Sequence, residues 1–285
     1  MGTGIVASSW DFGVMGDAPS HPELLDWLAV RFQGGGWKVK DLFRTILTSA
    51  AYRQSPRITA DRLEKDPANR LLSRGPRYRL DGEALRDLAL AASGLLVPDI
   101  GGPPARPYQP PNVWEAVAML DSNTRVYVED QGRGLYRRSL YTFVKRAAHH
   151  PAMDAFNTPS REVCTIRRER TNTPLQALVL MNDPQFFEAA RRMAENALSG
   201  AAGTDARLDH IALRLLARPL DPGERSIARE VLDRLLEHYR ARPEDAKALI
   251  AVGASVPDAS LAPDELAAWT LTASQILCLD ATLNK

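Results

Sequence analysis

Helix-start chemistry recurs along this chain so often that it leaves little room for any other regular element. Ser20-His21-Pro22-Glu23, Thr173-Pro174-Leu175-Gln176, Asp183-Pro184 and Asp221-Pro222-Gly223-Glu224 each set a proline close behind a candidate cap, and Pro263-Asp264-Glu265 repeats the theme. A hydroxyl or carboxylate at the cap accepts a hydrogen bond from an orphan first-turn N–H, and Glu or Gln three residues later returns one. Proline is tolerated at the first helical position because its missing N–H would have no partner there. Behind each start, apolar residues follow at helical spacing. Leu24, Leu25, Leu28 and Phe32 make one stripe, ended by Gly34-Gly35-Gly36. Val39, Leu42, Phe43, Ile46 and Leu47 make a second, predicted to face inward over a helix from about residue 38 to 52 and closed by Pro56. Asp81 is placed to cap a helix bearing Leu85, Leu88, Ala89, Ala92, Leu95 and Leu96.

The last hundred residues carry the clearest periodicity. Phe186, Phe187, Ala190, Met193 and Leu198 share a face, as do Leu208, Ile211, Ala212, Leu215 and Leu216. Ile227, Val231, Leu235 and Tyr239 follow, and then Leu266, Trp269, Ala273, Ile276 and Leu277 on a final helix. Two stretches break the pattern. Residues 97–111 hold six prolines and Gly101-Gly102, too many for regular structure, and form the best internal seam in what reads as one domain over 1–285. Between 112 and 170 the signals are mixed: Arg125-Val126-Tyr127-Val128 suits a short strand, and residues 135–146 fit helix or strand equally. The polar, basic stretch 60–79 reads as a short helix followed by an extended connection. The predicted class is all-α or mainly α: an irregular multi-helix domain with a long proline-rich loop and at most a short strand or hairpin in its middle.

With 45% apolar and 25% charged residues, the chain can bury a substantial core. Its net charge of +1 supplies no global field to draw in nucleic acid or anionic lipid. Of 36 cations 30 are Arg and 6 Lys, a bias that suits anion recognition but that GC-rich coding produces equally well. No run approaches the roughly 18 apolar residues of a membrane span. The N-terminal residues lack the basic and apolar regions of a leader, so the chain as it stands reads as cytoplasmic unless it is a piece of something longer. Cys164 and Cys278 are too few and too far apart for a disulfide scaffold or zinc site; two buried free thiols are expected, with one long-range disulfide as the alternative.

Signatures of known chemistries are missing. Gly2-Thr3-Gly4 lacks the third glycine of a dinucleotide loop, and there is no phosphate-binding G-x-x-x-x-G-K-[ST], no G-x-S-x-G elbow, no H-E-x-x-H helix and no haem-attaching C-x-x-C-H. His149-His150 invites a metal reading, but adjacent side chains diverge and no carboxylate or cysteine stands at ligand spacing, so no metal is expected. Asp121, Glu129, Asp130 and Asp154 are candidates for paired-carboxylate glycan hydrolysis by position alone, in a cleft lined by Trp114, Tyr136 or Tyr141.

The most informative block runs from Arg133 to Asn182. Residues 133–170 hold eight Arg and one Lys against Asp154, Glu162 and Glu169, an excess of six positive charges interleaved with Tyr136, Tyr141 and Phe143. Guanidinium groups match carboxylate, sulfate or phosphate, and aromatic faces stack on sugars. Arg170-Thr171-Asn172-Thr173 then runs into a helix N-terminus, itself attractive to anions. Arg137, Arg138, Tyr141, Arg168, Arg170 and Asn172 are accordingly the expected ligand-binding residues, for an anionic carbohydrate or a partner protein. The competing expectation is that these arginines pair with acids of the chain and tie an irregular segment to the helices. Arg70 to Arg79 either joins the same surface or is simply solvated.

Several blocks together carry a family likeness. They are Asp11-Phe12-Gly13-Val14-Met15-Gly16, His21-Pro22-Glu23-Leu24-Leu25-Asp26-Trp27-Leu28, Tyr52-Arg53-Gln54-Ser55, and Asn69-Arg70-Leu71-Leu72 into Arg74-Gly75-Pro76-Arg77. Tyr136-Arg137-Arg138-Ser139-Leu140-Tyr141-Thr142-Phe143, Thr171-Asn172-Thr173-Pro174-Leu175-Gln176-Ala177-Leu178 and Glu265-Leu266-Ala267-Ala268-Trp269-Thr270 continue it to the end. The chain resembles planctomycete-type proteins of domain-of-unknown-function family 1553. That resemblance implies the C-terminal part of a large exported protein, often behind a cytochrome c-like segment, and therefore an extracytoplasmic setting. It carries no catalytic residues over. The chain begins inside the family's first block, which suggests either a truncated start or a stand-alone remnant; a haem c could belong only to a missing N-terminal segment, and no cofactor is expected in this chain. His149-His150 stands where the family would have a proline-rich stretch. The leading expectation is an accessory or ligand-binding helical module of a larger extracytoplasmic assembly; the alternative is a glycan-directed hydrolase with unidentified carboxylates.

Overall fold

A computed structural model describes residues 2–284. Among them are twelve α-helices: α1 (Pro22–Gly34), α2 (Val39–Thr48), α3 (Ala60–Lys65), α4 (Gly82–Ser93), α5 (Pro151–Asp154), α6 (Pro174–Asn182), α7 (Pro184–Gly200), α8 (Thr204–Leu216), α9 (Pro222–Ala241), α10 (Pro243–Ile250), α11 (Pro263–Leu277) and α12 (Asp280–Leu283). Two 3-10 turns lie at Gly132–Tyr136 and Ser139–Tyr141. Strand character among the described residues is confined to isolated bridges, such as Val97 with Arg137 and Ala105 with Thr142. The fold is mainly α, as the periodicity implies.

The chain divides into two compact units, residues 2–78 with Thr165–Arg167, and residues 79–164 with 168–284. The first unit pairs α1 with α2, with Phe32 set edge-on to Trp37 at 5.2 Å. Its basic loop is organised by buried Asp66, whose carboxylate accepts from Arg70 N at 2.7 Å and Leu71 N at 3.1 Å. Buried Arg74 closes the loop by donating to the carbonyls of Asp66 and Pro67 at 2.7 and 2.8 Å, so it is internal and not part of a solvated basic surface. No large apolar side chain of this unit is buried among the described residues. The stripe predicted to face inward on α2 instead leaves Val39 51%, Phe43 57% and Leu47 50% exposed. Two short helices that have chiefly each other as partner cannot cover both apolar faces.

The second unit holds the core. α7 buries twelve residues and packs along α11, whose Leu266, Ala267, Ala268, Trp269, Ala273, Ile276 and Leu277 are all buried. Small side chains on both helices, Ala189, Ala190, Ala194 and Ala197 opposite that alanine-rich helix, permit close approach. α4, α8 and α9 complete the layer with Leu85, Ala89, Leu208, Ile211, Leu215 and Leu232. Ile227, assigned inward by spacing, is 64% exposed; Leu232 and Tyr239 provide the buried face of α9. α10 and the four-residue α12 carry no stripe long enough to be read from sequence.

The capping boxes divide. At Asp221 both halves form: its carboxylate accepts from Glu224 N at 2.8 Å and Glu224 accepts from Asp221 N at 2.9 Å. Asp183 likewise caps α7 through Gln185 N at 3.0 Å. Neither Ser20 nor Thr173 nor Asp81 makes a side-chain cap bond. Ser20 Oγ donates to Ile5 O at 3.2 Å, leaving His21 at the cap position. The strand expected at 125–128 does not form a ladder. Tyr127 turns edge-on to buried Trp114 at 4.8 Å, and its hydroxyl donates to Pro107 O at 2.5 Å. Residues 135–146 become the two 3-10 turns and isolated bridges, neither helix nor strand. Both cysteines are free, but Cys164 is exposed; only Cys278 is shielded, and burial pushes its thiol up to about 11.

Candidate functional site

In the second unit, residues 95–150 have almost no regular structure, and polar side chains reaching in from α4 and α7 hold them. Within α7, Glu188 directly follows the Phe186–Phe187 pair, one turn before Arg191 and two before Glu195. All three side chains are essentially inaccessible. Glu188 Oε1 accepts from Tyr136 Oη at 2.9 Å and Ser255 N at 2.6 Å; Oε2 accepts from Tyr108 Oη at 2.9 Å. Arg191 lies 3.9 Å from Glu188 and 2.8 Å from Glu195, and it donates to Ser255 O at 2.6 Å. A buried carboxylate is stable only when its lone pairs are met in this way.

The surrounding groups bear the marks of desolvation. Burial raises Tyr108 and Tyr127, and holds Tyr136 up at about 12, with the Glu188 carboxylate adding to the effect on Tyr108 and Tyr136. Burial, then Glu188, raises Glu129. Burial lowers His150 to about 4; its Nε2 lies 2.7 Å from Tyr108 O, while Nδ1 is shielded and meets no protein partner. On α4, Arg86 is likewise buried, which brings it down to about 10. It donates to Leu135 O and Arg137 O at 2.7 Å each and to Gln185 Oε1 at 2.5 Å. Perturbed titratable groups gathered in one place are a standard marker of a functional site, though structural networks produce them too. Here every hydrogen bond of the Glu188 and Arg86 side chains joins one chain segment to another.

Of the residues expected to bind a ligand, Arg137 is held in the same network through its carbonyl, which accepts from Arg86. Arg137 donates to Gly101 O and Pro103 O and lies 4.1 Å over the Tyr141 ring. Tyr141 Oη accepts from Gly101 N at 2.8 Å. Arg138 meets Asp87 at 3.1 Å with its side chain 54% exposed, and Arg168 meets Glu83 at 2.7 Å, which raises its pKa. Arg170 and Asn172 are exposed. Arg137 and Tyr141 thus sit together beneath the loop 98–104, Arg138 contacts α4 beside Ser139, and Arg168 contacts the start of α4.

Of the hydrolase candidates, Glu129 is partly buried within the field of Glu188. Asp121 is exposed; Asp130 is tied to Arg106 N at 2.8 Å; Asp154 lies 3.6 Å from His149 Nδ1. Trp114 and Tyr136 are buried. His149 and His150 diverge to different partners, His149 toward Asp154 and His150 to Tyr108 O of the proline-rich strap. Among the described residues no three His, Cys, Asp or Glu side chains gather as metal ligands do. Spacing singled out neither Glu188 nor Arg86. Each interrupts an apolar helical face with a charge, and that interruption was the available signal.

A family model described as PSD1, a protein of unknown function (DUF1553), matches residues 1–232. The curated proteins and the solved structures compared with the chain provide no match.

Proposed function

The chain belongs to the DUF1553 family of proteins of unknown function, and on that premise we propose that it is an accessory helical module that docks an apolar face of a partner protein within a larger assembly. The observation that carries this reading is the uncovered apolar surface of residues 2–78, where Trp27 and Val30 of α1 and Val39, Phe43 and Leu47 of α2 are half or more exposed. Covering one such side chain is worth about 1.5–3 kcal/mol, so a face of this kind favours a partner. An extracytoplasmic setting is part of the reading and rests on the family likeness alone. Binding of an anionic glycan at the arginine corner has less support, because Arg137, Arg138 and Arg168 already meet carbonyls or carboxylates of the chain.

The test is a pair of variants. Phe43→Ser and Leu47→Ser should each change unfolding free energy by no more than about 0.5 kcal/mol, as substitutions at open positions do, while lowering the fluorescence of bound anilinonaphthalene sulfonate. Losses of about 2 kcal/mol or more, typical of a packed core, would show the face to be covered within the chain and end the proposal.

A further inference from the structure

The segment that joins α10 to α11 lies against Glu188, Arg191 and Glu195 and is held almost entirely by them. Ala254 N donates to Tyr108 Oη at 2.7 Å, Ser255 N to Glu188 Oε1 at 2.6 Å, and Asp258 N to Glu195 Oε1 at 3.4 Å. Arg191 completes the set through Ser255 O at 2.6 Å and Ser255 Oγ at 2.9 Å. No residue from Gly253 to Asp258 is itself buried, and Val256 is 82% exposed. The three charged side chains beneath are 0–4% exposed. The fit is tight at one point: a Cβ added at Gly253, whose φ is +97°, would come within 2.6–2.8 Å of Glu188 side-chain atoms.

We propose that residues 253–258 form a lid over the Glu188–Arg191–Glu195 row, opening locally while the helical core stays folded. The argument is one of unequal costs. Lifting the segment uncovers little apolar surface, since its own side chains are already partly or wholly exposed. It breaks a handful of polar bonds and returns three desolvated charges to water, and the desolvation of buried charge is itself a large opposing term. Openings of low free energy arise in segments of this kind, with few buried apolar contacts. The α7–α11 core beneath has the opposite character, apolar and closely packed. When the lid rises, Glu188, Arg191, Glu195 and the Tyr108 hydroxyl form a charged surface already arranged for main-chain groups, because that is what they hold when it is shut.

Native-state hydrogen exchange on the full chain decides the matter. The amides of Ala254, Ser255 and Asp258 should exchange at least a hundredfold faster than those in the middle of α7 and α11, at a rate insensitive to low urea. Exchange of all three at the α7 rate, rising with urea in step with it, would overturn the lid. Two variants sharpen the reading. Tyr108→Phe removes one bond from the shut state and should speed exchange at Ala254 roughly five- to tenfold. Gly253→Ala should prop the segment open and speed all three amides, with α7 and α11 protection unchanged. Equal loss of protection in α7 in both variants would mean that the segment is an integral part of the core.

Discussion

Four stretches of chain meet at Glu188: α7 that carries it, the proline-rich strap through Tyr108, the first 3-10 turn through Tyr136, and the α10–α11 segment through Ser255. Replacing Glu188 with Ala leaves two hydroxyls and an amide short of an acceptor and removes an ion partner of Arg191. The expected loss is about 3–5 kcal/mol, read as a fall in the urea midpoint, whereas Glu188→Gln, which keeps one acceptor oxygen, should lose less than half of that. Equal losses would show that charge and not acceptor geometry matters at this position. His150 offers a pH test. Burial holds its pKa at about 4, below the 6.5 of a free imidazole, so the folded protein favours the neutral ring. The unfolded chain takes up the proton first as pH falls. The contribution is therefore complete above pH 6.5 and is lost between 6.5 and 4, by roughly 3 kcal/mol. Glu129 and Asp183 work in the other direction, since burial raises both and their protonation favours the folded state as pH falls. Proton NMR should place the His150 midpoint near 4; a midpoint near 6.5 would show a solvated ring. Little of this cluster was legible from sequence, because Tyr108 and Glu188 are 80 positions apart and the arginines carry no label saying which carbonyl they will meet.

At the scale of the element, a cap motif and a cap are different things. Asp221-Pro222-Gly223-Glu224 closes both reciprocal bonds, and Asp221→Ala should lose about 1 kcal/mol in thermal or urea unfolding. Thr173-Pro174-Leu175-Gln176 matches the same pattern, yet its glutamine donates to Ala155 O and Thr171 Oγ1, both at 3.0 Å, and is buried. Thr173→Ala should therefore be close to neutral while Gln176→Ala is clearly destabilising, a ranking opposite to that of a working cap; a costlier Thr173 substitution would mean that the cap forms after all. The physical reason for the difference lies outside the motif. A side chain joins its own first turn only when no better partner lies within reach, and at α6 the end of α5 supplies one. The proline signal held at five helices, α1, α6, α7, α9 and α11, because it acts through φ and a missing donor and needs no partner.

Across the whole molecule, apolar burial is concentrated in residues 79–284, where Trp269 is only 2% exposed between α11 and its neighbours. Trp269→Ala should lose about 3–5 kcal/mol. Residues 2–78 bury polar Asp66 and Arg74 and no large apolar side chain, so their amides should exchange well before those of α7 and α11, and thermal unfolding should show an early phase absent from the larger unit. A single transition with uniform protection would show that the first unit is stabilised in a manner its exposed stripes do not suggest.

Helix class, most helix starts and the inward stripes of α7, α8 and α11 followed from the sequence alone, since periodicity and proline chemistry act over neighbours a turn or two apart. The exposure of the α2 stripe, the engagement of Arg137 and the burial of Glu188 were decided only in three dimensions. An amphipathic pattern states which face is apolar but not whether anything covers it, and a charged side chain is defined by partners that folding brings from tens of residues away.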